Sequence, residues 1–360
     1  MKHSIISRNA DSLFPYQGWP TVARDDKGVL YVAASSHRLG HVCPFGKNYL
    51  YKSLDEGKTW SVPLVVNDSA HDDRDGGLCA WGDGNLLITW FHNERELYRE
   101  RAAIAEDQPH NGAAATPIAR AVYDIWDALP AERMRKACFA RLSRDGGMTW
   151  GEPMEVPVSA PHGPTRTADG RLLYVGKIDE NKIAAMESKD DGVTWTLLSY
   201  IPDPEEKDVG DLCEPHAVEL ADGTIVATIR IWLTEAKLLS VYITRSTDGG
   251  KTFSVPKLIE GLKGAPPHLL LHSSSALILS YGNRRGEKPL GQYARVSYDG
   301  GLSWGEDIMV SPESPSWDHG YPSTVELSDG SLLTVYYQRA YPEDTFTSIC
   351  CTHWELPSAR

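Results

Sequence analysis

Six short segments of the sequence combine residues able to do acid–base chemistry with proline or glycine. They are Gly18-Trp19-Pro20, Asp75-Gly76-Gly77, Pro161-His162-Gly163-Pro164, Glu214-Pro215-His216, Pro267-His268 and His319-Gly320-Tyr321-Pro322. Proline fits the first residue of a strand, where its missing N–H is not needed. The histidines and carboxylates beside it have no comparable structural reason. We therefore interpret the set as the lining of a pocket rather than as solvated turns.

Such a pocket requires a fold that brings six distant segments together, and an eight-residue motif indicates one. The Asp-box pattern S-x-D-x-G-x-T-W occurs five times, with small changes in the last two copies, at residues 53–60, 143–150, 188–195, 246–253 and 297–304. The aspartate side chain accepts hydrogen bonds from nearby backbone N–H groups and the glycine takes a left-handed conformation, which makes a tight hairpin. We place these turns on the outside of the fold and assign them no catalytic role.

A second repeat alternates with the first. A turn of Asp/Gly type leads into an apolar strand at 27–32, 83–88, 169–174, 222–227 and 329–334, with a serine-rich sixth copy at 273–280. Two hairpins make a four-stranded antiparallel blade, and repeats of about 40 to 50 residues are typical of propellers. The sequence therefore predicts an all-β fold, one six-bladed β-propeller domain over residues 1–360. The innermost strand of each blade begins near the axis, so the six segments would meet at one mouth of the channel.

The spacing of the Asp boxes predicts a helical insertion in blade 2, at about residues 91–136. Thr116-Pro117 suits the start of a helix. Its expected apolar face consists of Ile118, Val122, Ile125, Trp126 and Leu129. We expect the insertion to be a lid or a contact between subunits of a homo-oligomer. Blade 6, from Tyr321 onward, lacks an Asp box, and we expect it to close the ring with the segment at residues 3–7.

Two segments resemble the catalytic segments of sialidases (neuraminidases). Residues 214–223, Glu-Pro-His-Ala-Val-Glu-Leu-Ala-Asp-Gly, run on to Arg230 and resemble the family's E-P-x-V-x-E-L-x-D-G segment; residues 320–330 resemble the segment with the nucleophilic tyrosine. With its Asp boxes, the chain resembles BNR/Asp-box proteins of the sialidase superfamily, such as bacterial exo-α-sialidases of glycoside hydrolase family 33. The resemblance implies that Tyr321 is the nucleophile, that Glu214 polarises it and that Arg230 binds the substrate carboxylate. A neutral tyrosine avoids repulsion by that carboxylate.

The chain departs from the family pattern at two positions. Gly18-Trp19-Pro20 stands where the family has the R-I-P element with the first arginine of its carboxylate clamp, and His41 stands where the acid/base aspartate is expected. Imidazole transfers protons near neutral pH, so we predict His41 as the general acid or base, the alternative being an ordinary loop residue. The resemblance makes Arg284 or Arg285 the third clamp arginine; we place Arg285 in the predicted site and leave the choice open. Arg38 matches a further arginine after the first strand.

The predicted site is thus defined. Its catalytic residues are Tyr321, Glu214 and His41, and its substrate-binding residues are Arg230, Arg285, Arg38, Trp19, Asp75, His162, His216 and His268. A structural hydrogen-bonded pair is the alternative for Tyr321 and Glu214. The histidines suggest a metal, but no H-x-H or H-E-x-x-H spacing supports one, so we predict no metal and no cofactor.

Composition limits the partners. The formal net charge of −13 disfavours nucleic acid and anionic membranes, although a few arginines in a pocket still permit an acidic sugar. The sequence shows neither a membrane-spanning run nor a secretory signal, and we expect a cytoplasmic protein or a trimmed mature form. The six cysteines lack C-x-x-C spacing and are expected to be reduced thiols.

Three functions follow from these patterns. The first is a glycoside hydrolase that removes a terminal acidic sugar, sialic acid or a relative, through a covalent Tyr321 intermediate. The second is a polysaccharide lyase acting on a uronate, with a histidine and a tyrosine as base and acid. The third is a glycan-binding propeller without catalysis, which loss of the usual aspartate would permit.

Overall fold

A computed structural model describes residues 1–179, 182–206, 209–285 and 288–357. Its strands form six four-stranded antiparallel sheets, the blades of a β-propeller, which confirms the predicted fold class. The first strand, β1 (Lys2–Ser7), belongs to the last blade. Apolar side chains pack between neighbouring blades, as where Val175 of one sheet meets Ala217 and Ile229 of the next in a shared buried cluster. The hydrophobic core is therefore distributed around the ring.

The blades follow one another in chain order. Blade 1 contains β2 (Tyr16–Arg24), β3 (Leu30–Arg38), β4 (Lys47–Ser53) and β5 (Leu64–Asn67). Blade 2 contains β6 (Arg74–Trp81), β7 (Asn85–His92), β8 (Ala137–Ser143) and β9 (Met154–Val156). Blade 3 contains β10 (Thr165–Arg166), β11 (Leu172–Asp179), β12 (Lys182–Ser188) and β13 (Thr196–Tyr200).

The second half of the ring repeats the arrangement. Blade 4 contains β14 (Val209–Glu219), β15 (Ile225–Leu233), β16 (Leu238–Ser246) and β17 (Lys257–Leu258). Blade 5 contains β18 (Pro267–Leu271), β19 (Leu277–Asn283), β20 (Gly291–Ser297) and β21 (Ile308–Met309). Blade 6 contains β22 (Gly320–Glu326), β23 (Leu332–Gln338), β24 (Ser348–Trp354) and, as its outermost strand, β1.

The ring closes where β1 pairs with β24, with Lys2 opposite His353 and Ile5 opposite Cys350. The last blade therefore takes three strands from the end of the chain and one from its beginning. This confirms the closure predicted for residues 3–7.

The Asp boxes form the predicted turns. In the first, Thr59 donates its backbone N–H to Asp55 Oδ1 over 2.8 Å and its hydroxyl to Oδ2 over 2.6 Å. The Trp60 indole N–H donates to the carbonyl of Gly57, whose φ is +78°. The hydrogen bonds from Thr59 lower the pKa of the Asp55 carboxyl to about 2. The same threonine or serine contacts recur at the other four boxes.

The insertion lies between β7 and β8 of blade 2, and it contains two α-helices, α1 (Arg95–Ala103) and α2 (Pro117–Asp127). Two short 3₁₀ helices, Pro109–Ala115 and Ala131–Met134, follow them in turn. Thr116 caps α2 as predicted, since its hydroxyl accepts a hydrogen bond from the N–H of Ala119.

The predicted apolar face of α2 is partly confirmed: Trp126 lies in a buried cluster against which Val122 and Leu129 pack, but the two isoleucines lie outside it. Ile118 and Ile125 are 50% and 61% exposed, while Ala119, Tyr123 and Trp126 are buried. The large aromatic rings bury more area than the isoleucines, and their polar atoms find partners: Tyr123 Oη donates to Ala114 and Trp126 Nε1 to Ala70.

Two further observations concern the chain as a whole. Within the described residues, no helix combines the length and the apolar character needed to cross a bilayer. All six cysteines are free thiols, as predicted.

Candidate functional site

Four inner strands contain the same backbone irregularity. Trp19, Asp75, Glu214 and Tyr321 have φ values of +54°, +60°, +51° and +53°, and each precedes proline or glycine. The strand pairing slips by a bulge at each of these positions. Positive φ is uncommon for residues other than glycine and is concentrated at functional sites. The same bulge in four blades therefore directs a tryptophan, two carboxyls and a phenol toward the axis.

Tyr321, Glu214 and Arg230 form one hydrogen-bonded row. Tyr321 Oη donates to Glu214 Oε1 over 2.5 Å, and Arg230 Nη1 donates to Glu214 Oε2 over 2.6 Å. Glu214 and Arg230 retain side-chain exposures of 18% and 25%, whereas Tyr321 is 5% exposed. The structure thus brings together the three residues that the sequence marked as nucleophile, its polarising acid and a clamp arginine, while their roles remain predictions.

Electrostatics keeps the Tyr321 phenol protonated in the resting protein. Burial, followed by the nearby Glu214 and Asp75 carboxyls, raises the pKa of Tyr321 well above its ordinary value, while Arg230 and Arg284 oppose the rise. The hydroxyl therefore needs a base to become a nucleophile, and the carboxylate that already accepts its hydrogen bond is Glu214.

Of the two neighbouring arginines, Arg284 lies at the site and Arg285 does not. The Arg284 guanidinium lies 5.3 Å from the centre of the Tyr321 ring and donates to His319 O and Tyr337 Oη over 2.6 and 2.8 Å. Arg285 is exposed and stacks on Trp232 at 5.6 Å. The placement of Arg285 in the predicted site is therefore corrected to Arg284.

Arg38 is also placed differently from the prediction. Its side chain is completely buried and forms an ion pair with Asp72, with Nη2 donating to Asp72 Oδ2 over 2.9 Å. The same guanidinium donates to the carbonyls of Gly40 and His41. Arg38 has no exposed surface for a ligand; it holds the loop that carries His41. Asp72 also accepts a 2.9 Å hydrogen bond from Tyr98, which ties helix α1 to this loop.

Arg74, one residue before the Asp75 bulge, was not anticipated. Its guanidinium lies 4.4 Å from the centre of the Trp19 ring, whose side chain is 2% exposed. Nη1 donates to His41 O over 3.1 Å and to Asp72 over 3.4 Å. The only signal in the sequence was its position beside Asp75.

His41 is held by an aspartate that sequence reasoning also missed. Its Nδ1 lies 3.0 Å from Asp318 Oδ1, and the hydroxyls of Tyr16 and Tyr337 donate to the same oxygen. Despite its burial, Asp318 has a pKa lowered to about 2, through His41 and Arg284 among others. Burial lowers the pKa of His41, and Arg74 and Arg284 lower it further against the opposing effect of Asp318. Asp318 lies just outside the recognisable Gly320-Tyr321 motif, which explains the omission.

Part of this set borders a cavity of about 490 Å³, whose lining includes His41, Arg74, Asp75, Glu214 and Arg230. Tyr321, Arg284 and Asp318 are not among its lining residues. The insertion contributes Tyr98, Arg101, His110 and Asn111. Trp317, 44% exposed, lies at the edge of the cavity with ring centres 5.8 Å from His41 and 5.5 Å from His110. Burial raises the pKa of Asp75 to about 7, with Glu214 adding to the rise and Arg74 opposing it. Near neutral pH this carboxyl can therefore donate a hydrogen bond.

His162, His216 and His268 do not line this cavity. They border a second one, of about 720 Å³, together with residues further along the inner strands, so it opens toward the other end of the channel. His216 is two residues beyond Glu214 on the same strand, which puts it deeper along the axis. The prediction that these histidines share the mouth with Glu214 is wrong because sequence shows that a residue faces the axis but not at which depth.

The three rings pack against one another. His216 and His268 stack with centres 4.3 Å apart, and their Nδ1 atoms accept hydrogen bonds from the backbone N–H of Leu269 and Thr324. Burial is the main cause that lowers the pKa of all three, to about 3 for His216. In the part of the chain that the structure describes, no group of three or more histidine, cysteine, aspartate or glutamate side chains is arranged to hold a metal ion.

Comparison with known proteins places this geometry in context. A family model described as BNR repeat-like domain matches residues 124–335. A curated sialidase from Bacteroides fragilis is 24% identical over 337 residues, which cover 83% of this chain and 55% of the relative. The chain thus spans about half the length of that relative.

Solved structures share the fold at low identity. A protein of unknown function from Dyadobacter fermentans superposes with a TM-score of 0.77 at 22% identity, covering 99% of this chain and 98% of the other. NanB sialidase from Streptococcus pneumoniae gives 0.69 at 13% identity, covering 98% and 70%. An intramolecular trans-sialidase from Ruminococcus gnavus gives 0.68 at 15%, covering 98% and 97%.

Proposed function

Because this chain belongs to the family of BNR repeat-like domain proteins, we propose that it is a sialidase-type glycoside hydrolase. It removes a terminal acidic sugar, sialic acid or a chemical relative, from a glycan. The observation that carries the proposal is the 2.5 Å hydrogen bond from Tyr321 Oη to Glu214, with Arg230 on the other oxygen of the same carboxylate.

The first step forms a covalent intermediate. Tyr321 Oη attacks the anomeric carbon as its proton passes to Glu214, and the bond from that carbon to the leaving oxygen breaks. Protonated His41 gives its Nε2 proton to the leaving oxygen. Arg230 and Arg284 bind the substrate carboxylate. An anionic nucleophile would meet repulsion from that carboxylate, which the neutral phenol avoids until the attack is under way.

The second step releases the sugar. Neutral His41 takes a proton from water and the water oxygen attacks the anomeric carbon. The bond from that carbon to Tyr321 Oη breaks, and Tyr321 recovers its proton from Glu214. Two displacements retain the anomeric configuration. Asp318 holds Nδ1 of His41, so that Nε2, which has no hydrogen-bond partner among the described residues, is the atom left for proton transfer.

Purified protein incubated with aryl glycosides of acidic and neutral sugars tests the proposal. We expect cleavage of aryl sialosides or of closely related acidic glycosides, with the first-formed sugar in the retained configuration by NMR. Absence of cleavage across the acidic panel, or an inverted product, would contradict it.

A uronate lyase is the second candidate, and the His41–Asp318 pair is the observation that favours it. A neutral imidazole with a lowered pKa and a carboxylate on Nδ1 is suited to abstract a proton next to a carboxylate. Elimination creates a carbon–carbon double bond, so the appearance of an ultraviolet-absorbing product from a uronate polysaccharide would select the lyase, since hydrolysis creates no such bond.

A further inference from the structure

We propose that Arg74 of blade 2 is a carboxylate-binding residue of this site and that it supplies the anion contact that the segment Gly18-Trp19-Pro20 lacks. The inference rests on the proposed function, because it concerns how the acidic sugar is recognised. It is carried by the arrangement of Trp19, Arg38 and Arg74 around Asp72.

Arg38 donates hydrogen bonds to both carboxylate oxygens of Asp72. The two form a completely buried ion pair, and Tyr98 adds a third hydrogen bond to the same carboxylate. Arg74 reaches Asp72 only at 3.4 Å and through Nη1 alone. In the described ranges, no acceptor takes a hydrogen bond from Nε or Nη2 of Arg74. Nε and Nη2 are therefore the donors that Arg74 has left for a ligand.

Arg74 also lines the cavity in which the substrate would bind. It borders the same cavity as Glu214 and Arg230, whereas Trp19 lies behind it and is nearly inaccessible. The indole face 4.4 Å away orients the planar guanidinium and holds it in place. The tryptophan thus supports an arginine that enters from the neighbouring blade.

The lining of the cavity is rich in cations, since it includes Arg101 and Lys136 besides Arg74 and Arg230. Glu214 pairs with Arg230, Asp72 pairs with Arg38, and the raised pKa of Asp75 keeps that carboxyl largely protonated below neutral pH. Arg74 remains without a dedicated carboxylate. A substrate carboxylate with two oxygens matches the free Nε and Nη2 donors of a guanidinium.

Binding measurements separate this inference from the proposed function. The affinities of N-acetylneuraminic acid and its methyl ester are measured by titration calorimetry for the wild type, Arg74→Gln and Arg74→Lys. We expect the wild type to prefer the acid, Arg74→Gln to lose at least about tenfold in affinity for the acid and little for the ester, and Arg74→Lys to lose less. Arg166→Gln is the matched control, since Arg166 also stacks on a tryptophan, Trp81, but borders the other cavity.

Three results would overturn the inference: a wild type without preference for the acid, an unchanged affinity in Arg74→Gln, or equal losses for acid and ester, which indicate a structural role. Failure of the proposed function gives a different result, acid-selective binding by the wild type without cleavage of any glycoside. Thermal midpoints of both Arg74 variants show whether the fold is kept.

Discussion

Tyr321 Oη and Glu214 Oε1 lie 2.5 Å apart although 107 positions separate the two residues in the chain. They come from blades 6 and 4, and each lies at a bulge of an inner strand with a left-handed backbone conformation. The pair therefore forms only because the ring of blades brings the two strands together, since residues so far apart in the chain are not neighbours in any local structure.

Replacing Tyr321 by phenylalanine removes the nucleophilic oxygen and leaves the ring in place. We expect hydrolysis of an acidic aryl glycoside to fall by at least about a hundredfold, with a thermal midpoint close to that of the wild type. Tyr293→Phe is the control, since Tyr293 is equally buried and donates to a backbone carbonyl in blade 5. Full turnover by Tyr321→Phe would exclude this residue as the nucleophile.

The His41–Asp318 pair predicts a dependence on the leaving group. His41→Ala should slow cleavage of natural glycosides by about a hundredfold or more, and affect activated aryl glycosides much less, because only the former need a proton on the leaving oxygen. Equal losses on both substrates would argue against the acid role.

The pH profile tests the positioning role of Asp318. Because the pKa of His41 is lowered from 6.5, the protonated acid of the first step exists only at acidic pH, and the optimum should lie below pH 6.5. Asp318→Asn removes a charge that favours imidazolium, so the alkaline limb, on which activity is lost as His41 deprotonates, should move to still lower pH. An unchanged profile would contradict this role.

Arg284 and Arg285 offer an internal comparison. Arg284→Gln should raise KM for an acidic glycoside about tenfold or more, because its guanidinium lies over Tyr321, while Arg285→Gln should stay within about twofold of the wild type. A larger effect of Arg285 than of Arg284 would return the predicted role to the exposed residue.

The repeats explain how much was predictable. Asp boxes and Asp/Gly turns specify blades, and blades at regular spacing specify a ring. Glu214 and Tyr321 were found because each lies in a segment that resembles a catalytic segment of sialidases. Arg74 and Asp318 were missed because their importance depends on contacts between blades. Arg38 and Arg74 lie on different strands and compete for one carboxylate, Asp72, and sequence cannot show which of them wins it.

The buried histidines predict sensitivity to acid. The pKa of His216 is lowered to about 3 in the folded protein, against 6.5 in an unfolded chain. Below pH 6.5 the unfolded state therefore binds more protons, and the free energy of unfolding decreases as the pH is lowered. At pH 5 this amounts to about 2 kcal/mol for one such histidine. Asp75, with its raised pKa, acts in the opposite direction, so the total slope is smaller.

Comparison of the wild type with His216→Asn measures the contribution of this histidine to the acid sensitivity. Denaturant unfolding at pH 7 and pH 5 should show a smaller acid-induced loss for His216→Asn than for the wild type, because asparagine can accept the hydrogen bond from Leu269 without titrating. Identical losses in the two proteins would show that His216 is not responsible.

The bulge shared by four inner strands allows the side chain at that position to change while the fold stays the same. The backbone conformation is the same whether it carries tryptophan, aspartate, glutamate or tyrosine. A new reaction in this scaffold would then require exchanges of single side chains at these positions, with the sheets and their order untouched. Proteins of this shape can diverge in what they do while remaining alike in outline, so the identity of the residues at the four bulges is a better guide to activity than overall similarity.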